Sequence, residues 1–226
     1  ADETALHTLA VGIYSLYEIL KEEITNNLMD KLYYEIELPL IKVLCKMQKE
    51  GFRVDSAAMS RFSKDLGQKL EKLTEEIYAL AGEEFNIQSP KQLGEVLFEK
   101  LKVGKGKKTK TGFKTDIDIL NSLQGEHPII EKIIDYRKLA KIKSTYLDGL
   151  SRFISPDGRI HAVFNQLVTV TGRISMTEPN LQNIPIRGDM GGEIRKMFIP
   201  APGCVLVDAD YSQIELRVLA HISNDV

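Results

Sequence analysis

The chain has 226 residues, 43% of them hydrophobic and 27% charged, with a formal charge of -2 at neutral pH. That is apolar material for one or two cores, with too many charges for a membrane protein and no apolar run of about 18 residues that would span a bilayer. The near balance of charge excludes a globally basic nucleic-acid binder, so any phosphate-binding surface has to be local.

The N-terminus, Ala1-Asp2-Glu3-Thr4, lacks a basic segment followed by an apolar one, and it does not begin with Met. No signal peptide is expected, and residue 1 is expected either to lie inside a longer natural chain or to result from processing. Residues 4–49 are expected to form helix in two pieces broken near Asn26-Asn27. Leu32, Ile36, Leu40, Val43, Leu44 and Met47 make an apolar stripe, Pro39 gives a kink or restart, and Gly51 ends the helix. Cys45 lies on that stripe and is expected in the core, and the Tyr33-Tyr34 pair is expected to serve packing.

Asp55 is the expected N-cap of the next helix. Met59, Phe62, Leu66, Leu70, Leu73, Ile77 and Leu80 form its stripe and Gly82 stops it. Ser89-Pro90 opens another helix with Ser89 and Gln92 as a capping box. A short helix is expected from Thr115 to about Gly125, and a long one from Pro128 to about Leu150.

After the Pro156-Asp157-Gly158 turn the pattern changes. Residues 160–164 and 167–171 are expected to pair as strands, residues 204–208 to form a β-rich run, and residues 212–223 to close in a helix. The layout is α+β: a helical region followed by the start of an antiparallel sheet. Cys45 and Cys204 form no Cys-x-x-Cys pair, which argues against a disulfide framework or a zinc site and fits a reducing cytoplasm. His7, His127, His161 and His221 show no metal-ligand spacing and are expected to be structural.

Two local cationic patches stand out. Residues 103–112 form a glycine-rich loop carrying Lys105, Lys107, Lys108 and Lys110, able to neutralise phosphates without reading sequence. Arg137, Lys138, Lys141 and Lys143 accompany the hydroxyls of Ser144, Thr145 and Tyr146 on the long helix. A solvated surface is the plain alternative for both.

Residues 171–187 are irregular and rich in Asn, Gln and Arg, groups that pair with base edges, sugars and phosphates or else satisfy loop backbone. Asp210 ends an apolar run just before a helix, where a carboxylate serves either as Mg²⁺ ligand or as cap. Asp208 shares its face if the strand continues. Ser212-x-x-Glu215 reads as a capping box.

Thr171-Gly172-Arg173, Leu181-Gln182-Asn183-Ile184-Pro185 and Asp210-Tyr211-Ser212-Gln213-Ile214-Glu215-Leu216-Arg217 together resemble the primer–template motif and motif A of family A DNA polymerases, the bacterial DNA polymerase I type. The likeness extends to Gly51-Phe52-Arg53-Val54-Asp55, Phe85-Asn86-Ile87-Gln88-Ser89-Pro90-Lys91-Gln92-Leu93 and Lys143-Ser144-Thr145-Tyr146. It implies a helical thumb followed by an incomplete antiparallel palm sheet. Residues 1–20 match the end of a 3′–5′ exonuclease-like domain, 21–55 a first palm segment and helical connector, 56–155 the thumb, and 156–226 part of the palm.

The same resemblance implies roles. Asp210 and the Tyr211 carbonyl hold the two Mg²⁺ ions, and Ser212, Gln213, Ile214 and Glu215 line the deoxynucleotide site, with Glu215 excluding a ribose 2′-hydroxyl. Arg173 probes the minor groove at the primer end. Lys107, Lys108, Lys110, Lys143, Ser144, Thr145, Asn165, Gln166, Asn180, Gln182 and Asn183 contact primer–template DNA. The family's fingers helix and second metal-binding aspartate do not occur between residues 1 and 226, so the chain is expected to be inactive alone and to need the C-terminal half of the domain, in the same chain or a separate subunit. A non-catalytic DNA-binding subunit of a split polymerase is the alternative. A single-subunit RNA polymerase is a third reading, from which Glu215 and the Gln182-Asn183-Ile184-Pro185 motif point away.

Overall fold

The computed structural model describes residues 3–109, 112–185 and 189–224. Helix α1 runs Glu3–Asn26 and ends where Leu28 takes a left-handed conformation, as the Asn26-Asn27 break predicts. A wider π-type stretch, Leu32–Glu37, leads into α2, Leu38–Glu50, with Pro39 in the first turn of α2, where its missing N–H costs nothing. Gly51 stops α2 at φ +64°, its N–H bonded to the Met47 carbonyl. The expected stripe on this segment is not buried as a whole: Leu44 is, whereas Leu32, Ile36, Val43 and Met47 remain exposed and so does Cys45. Periodicity marks an apolar face but does not supply its partner.

Helix α3, Ser56–Ala81, follows the sequence closely. The Asp55 carboxylate accepts the Ala58 N–H at 2.8 Å, Met59, Leu66 and Ile77 are fully buried, and Gly82 closes the helix in the left-handed region. Short α4, Pro90–Gly94, starts with Ser89 Oγ accepting the Gln92 N–H. The reciprocal half of the expected box is not made, because the Gln92 side chain accepts instead from the Asn86 N–H at 2.6 Å. A π-type stretch, Glu95–Lys100, continues it, and strands β2 (Lys108–Thr109) and β3 (Gly112–Phe113) make a small hairpin.

Asp116, rather than Thr115, caps α5, Ile117–Ser122. Helix α6, Pro128–Lys141, passes through a π-type stretch, Ile142–Asp148, into a last turn α7, Gly149–Ser151, giving the long helix the sequence predicts.

The described residues form three two-stranded antiparallel ladders. Strand β1 (Phe52–Arg53) pairs with β4 (Arg159–Ile160), and Ile199 N–H and Asp55 N–H bond across its other side to Arg53 O and Met197 O. Strand β5 (Val163–Asn165) pairs with β6 (Ser175–Thr177). This corrects the expected partner: residues 167–171 form bends and a turn, with Leu167 92% and Val170 102% exposed. Residues 204–208 are likewise unpaired and exposed rather than a strand. Helix α8, Asp189–Lys196, was not expected, since Gly191 and Gly192 disfavour helix; Gly191 is needed because a Cβ there would run into the Pro185 carbonyl. Helix α9, Ile214–Ser223, closes the described chain.

Two cores organise this α+β fold. The first joins the end of α3 (Ile77, Ala81) to α5 and the start of α6 (Leu120, Ile129, Ile130, Ile133). The second joins the start of α3 (Met59, Leu66) to Tyr146, Leu147, Ile160, Ile184 and Ile194. Helices α3 and α6 run through both and act as the shared frame.

Candidate functional site

Residues 204–211 are exposed and belong to no helix or strand, so Asp208, Asp210 and Tyr211 face solvent. Among the described residues neither aspartate has a hydrogen-bond or ion-pair partner, and no three acidic, histidine or cysteine side chains gather to hold a metal. Asp208 is not brought onto a shared strand face with Asp210. The donors at Asp210 and Tyr211, one free carboxylate and one carbonyl, fit a hard divalent cation whose other ligands are water and phosphate oxygens.

The expected Ser212–Glu215 box does not form. Gln213 precedes α9 in the left-handed region and offers no side-chain cap, while the turn is held by Arg217, whose Nε donates to the Ser212 carbonyl at 2.9 Å. Glu215 turns instead to Arg173: the guanidinium lies 3.1 Å from its carboxylate, both side chains about three-quarters exposed at 77% and 75%.

Hydrogen bonds hold the residues on either side of Arg173 in place. Gln182 donates from Nε2 to the Ile174 carbonyl at 3.0 Å, and its N–H bonds Asn180 Oδ1 at 3.0 Å. The Thr169 hydroxyl donates to the Arg173 carbonyl. Asn165 Nδ2 reaches Thr177 Oγ1 at 3.1 Å, keeping β5 and β6 in register. Gln166 donates to the carboxylate and carbonyl of Glu37, at 2.7 and 3.2 Å, which commits its amide to the stretch ahead of α2.

Lys143 and Asp148 pair at 2.6 Å, and Ser63 Oγ donates to the same carboxylate at 2.7 Å. The Lys143 ammonium, then the Ser63 hydroxyl, hold the Asp148 carboxyl below its ordinary range. Ser144 and Thr145 are exposed beside them. The Tyr146 hydroxyl donates to the Asn183 carbonyl at 2.6 Å, joining this stretch to the Asn180–Asn183 turn. Arg195 of α8 donates to the carbonyls of Ile184 and Pro185. Sequence reading missed Arg195 as a shaping residue, because α8 itself was not legible.

Arg137 departs from its expected place. It is half-buried, donates to Thr115 Oγ1, to the Thr115 carbonyl and to the Ile87 carbonyl, and burial lowers its pKa. It fastens the α5–α6 region and leaves Lys138 and Lys141 as the exposed cations of that patch. In the loop, Lys105, Lys107 and Lys108 are exposed on or near the β2–β3 hairpin; Lys110 lies outside the described residues, as do Ile186 and Arg187.

Residues 56–226 match the family model for DNA polymerase family A, and the chain belongs to that family. It is 52% identical over 211 residues to DNA polymerase I of Caldicellulosiruptor bescii, covering 93% of this chain, and 48% identical over 218 residues to DNA polymerase I of Geobacillus stearothermophilus, covering 96%. The chain spans about a quarter of each of those relatives' length (25%). Among solved structures, the polymerase domain of Pol1 from M. smegmatis, in complex with DNA primer-template and dNTP, superposes with a TM-score of 0.85 at 39% identity, over 96% of this chain and 38% of that one. No helix among the described residues is long and apolar enough to cross a membrane.

Proposed function

We propose that the chain is the thumb and first palm portion of a DNA-directed DNA polymerase, which grips primer–template DNA and contributes one metal-binding carboxylate to nucleotidyl transfer. Residues 1–20 belong on this reading to an exonuclease-like domain, 21–55 to a first palm segment, 56–155 to the thumb and 156–226 to the palm. The observation that carries it is the approach of Arg173 to Glu215, two residues 42 positions apart that the family's chemistry assigns to the primer end and the incoming sugar. Family membership over residues 56–226 and the M. smegmatis structure, solved with primer-template and dNTP, support the same reading.

On this reading Asp210 and the Tyr211 carbonyl would hold Mg²⁺, which would supply charge stabilisation for an ionised primer hydroxyl and for the leaving pyrophosphate. The protein's own residues orient and select. Ser212, Gln213 and Ile214 shape the nucleotide site, and the Glu215 carboxylate occupies the space a 2′-hydroxyl needs. Arg173 donates to minor-groove acceptors shared by all matched base pairs, so it senses pairing rather than sequence. Asn180, Gln182 and Asn183, with Asn165 and Gln166 behind them, lie along the strands, while Lys107, Lys108, Lys110, Lys143, Ser144 and Thr145 meet phosphates.

One carboxylate does not complete two-metal chemistry, so the chain requires the remainder of the polymerase domain. The test is ribonucleotide discrimination by the intact polypeptide. Glu215→Ala is expected to raise ribonucleotide incorporation at least tenfold, each factor of ten being about 1.4 kcal/mol of lost discrimination. Unchanged discrimination would remove the gate from Glu215. In the same assay the 226-residue chain alone is expected to extend no primer.

A further inference from the structure

The lysine loop carries three glycines at 104, 106 and 112. Its start is fixed by Val103, which is buried in the first core with its N–H on the Leu97 carbonyl, and its far side is seated by an aromatic ring. Phe113, half-buried in β3, lies against the backbone of Gly94 at the end of α4 and against Phe98, ring centroids 5.0 Å apart and 43° between planes. A Cβ built on Gly94 would stand 2.7 Å from Phe113 Cβ, and one on Gly106 would stand 2.5 Å from atoms of both the Phe113 and Phe98 rings. Gly94 has a helical φ of -63°, and Gly106 is not among the positive-φ glycines. Backbone conformation therefore does not call for glycine at either position; the space taken by Phe113 does.

The same ring is linked to the cations. Phe113 is the cross-strand partner of Lys108, whose Nζ lies 5.3 Å from the ring centroid. The next residue, Lys114, bonds through its N–H to the Lys107 carbonyl at 3.0 Å and through its ammonium to Asp116 at 2.7 Å. Hairpin and anchor thus fix where two lysines stand, in a segment whose glycines would otherwise leave it to be ordered on binding.

We infer that Phe113 is the positioning residue of the lysine loop: seated against Gly94, Gly106 and Phe98, it presents Lys107 and Lys108 to the phosphates of the bound duplex. This rests on the reading above that the loop meets DNA. It adds that the loop's affinity depends on an uncharged residue that touches no phosphate.

The experiment measures binding of a labelled primer–template duplex to the intact polypeptide across a salt series, with melting temperature followed on the same samples. Phe113→Ala is expected to weaken binding about tenfold and to make the slope of log K against log salt shallower by about 1, as if a lysine contact were lost. Gly106→Ala, which displaces the ring, is expected to do the same, and Phe113→Tyr to restore both quantities. Phe113→Ala that lowers the melting temperature while leaving affinity and slope at the parent's values overturns the inference, since Phe113 is then ordinary packing. The double variant Lys107→Ala with Lys108→Ala separates the two claims. If it binds as the parent does, the reading of the loop as a DNA contact fails; if it weakens binding while Phe113→Ala does not, the anchor alone fails.

Discussion

Arg137 and Glu215 show how a side chain's role follows from what the fold places within reach. On a helix beside Lys138 and Lys141, Arg137 reads as part of a phosphate-binding patch. Its guanidinium instead meets the Thr115 hydroxyl and the carbonyls of Thr115 and Ile87, acceptors that would otherwise be shielded from water and unpaired. Arg137→Ala is therefore expected to destabilise the protein by about 2–3 kcal/mol in urea unfolding. Lys138→Ala, at an exposed position, is expected to stay within about 0.5 kcal/mol; equal effects would contradict the assignment. No sequence signal distinguishes these cations, because burial is decided by α5 and by residues near 87, some fifty positions away. For Glu215 the competing partner, Arg173, is 42 positions away, so the local capping pattern could not reveal it.

At the scale of elements, features set by neighbours in sequence were legible: the Asp55 cap, the Gly51 and Gly82 stops, the proline starts of α4 and α6 and the Asn26-Asn27 break. Strand pairing was not: the partner of β4 lies far upstream at residues 52–53, and β5 skips residues 167–171 to pair with 175–177. Residues 52–53 are too short to alternate, and the run 167–171, β-branched from Val168 on, finds no edge to join. The join between α2 and β4 was also invisible. There Arg159 donates to the carbonyls of Glu50 and Gly51, while the two ring nitrogens of His161 face the Gln48 carbonyl at 2.9 Å and the Asp157 carboxylate at 3.0 Å. Two acceptors favour the doubly protonated ring, so the Gln48 carbonyl, then Asp157, raise the His161 pKa above 6.5, and His161 lowers that of Asp157 below 3.8. The stabilisation from His161 is complete below its unfolded value near 6.5 and is lost as pH rises through the raised folded value; that from Asp157 is present above 3.8 and lost as pH falls. The stability difference between parent and His161→Gln is accordingly expected to shrink as pH climbs from about 6.5 into the alkaline range. A difference that grows over that range would contradict the clamp.

For the molecule as a whole, the two cores contrast with what lies outside them. Helix α1 exposes Leu6, Leu9, Ile13, Tyr14 and Tyr17, and the last described segment exposes Val205, Val207, Leu216, Leu219 and Ile222. So much exposed apolar surface is unusual for a protein meant to stand alone. It agrees with a chain that spans about a quarter of the length of the relatives it matches (25%). The purified 226-residue chain is expected to self-associate or bind an apolar dye, whereas a monodisperse monomer that binds none would contradict this. The helical-then-sheet order was legible in sequence, because cap, stop and turn signals sit close together along the chain. The bonds from Tyr146 to Asn183, from Gln182 to Ile174 and from Arg173 to Glu215 needed the fold.

If Asp210 carries the proposed metal-dependent chemistry while the surrounding surface holds DNA, primer extension by the intact polypeptide with Asp210→Ala is the decisive measurement. Extension is expected to fall by at least about a thousandfold, roughly 4 kcal/mol of transition-state stabilisation, with duplex binding nearly unchanged. Extension at the parent's rate would contradict it.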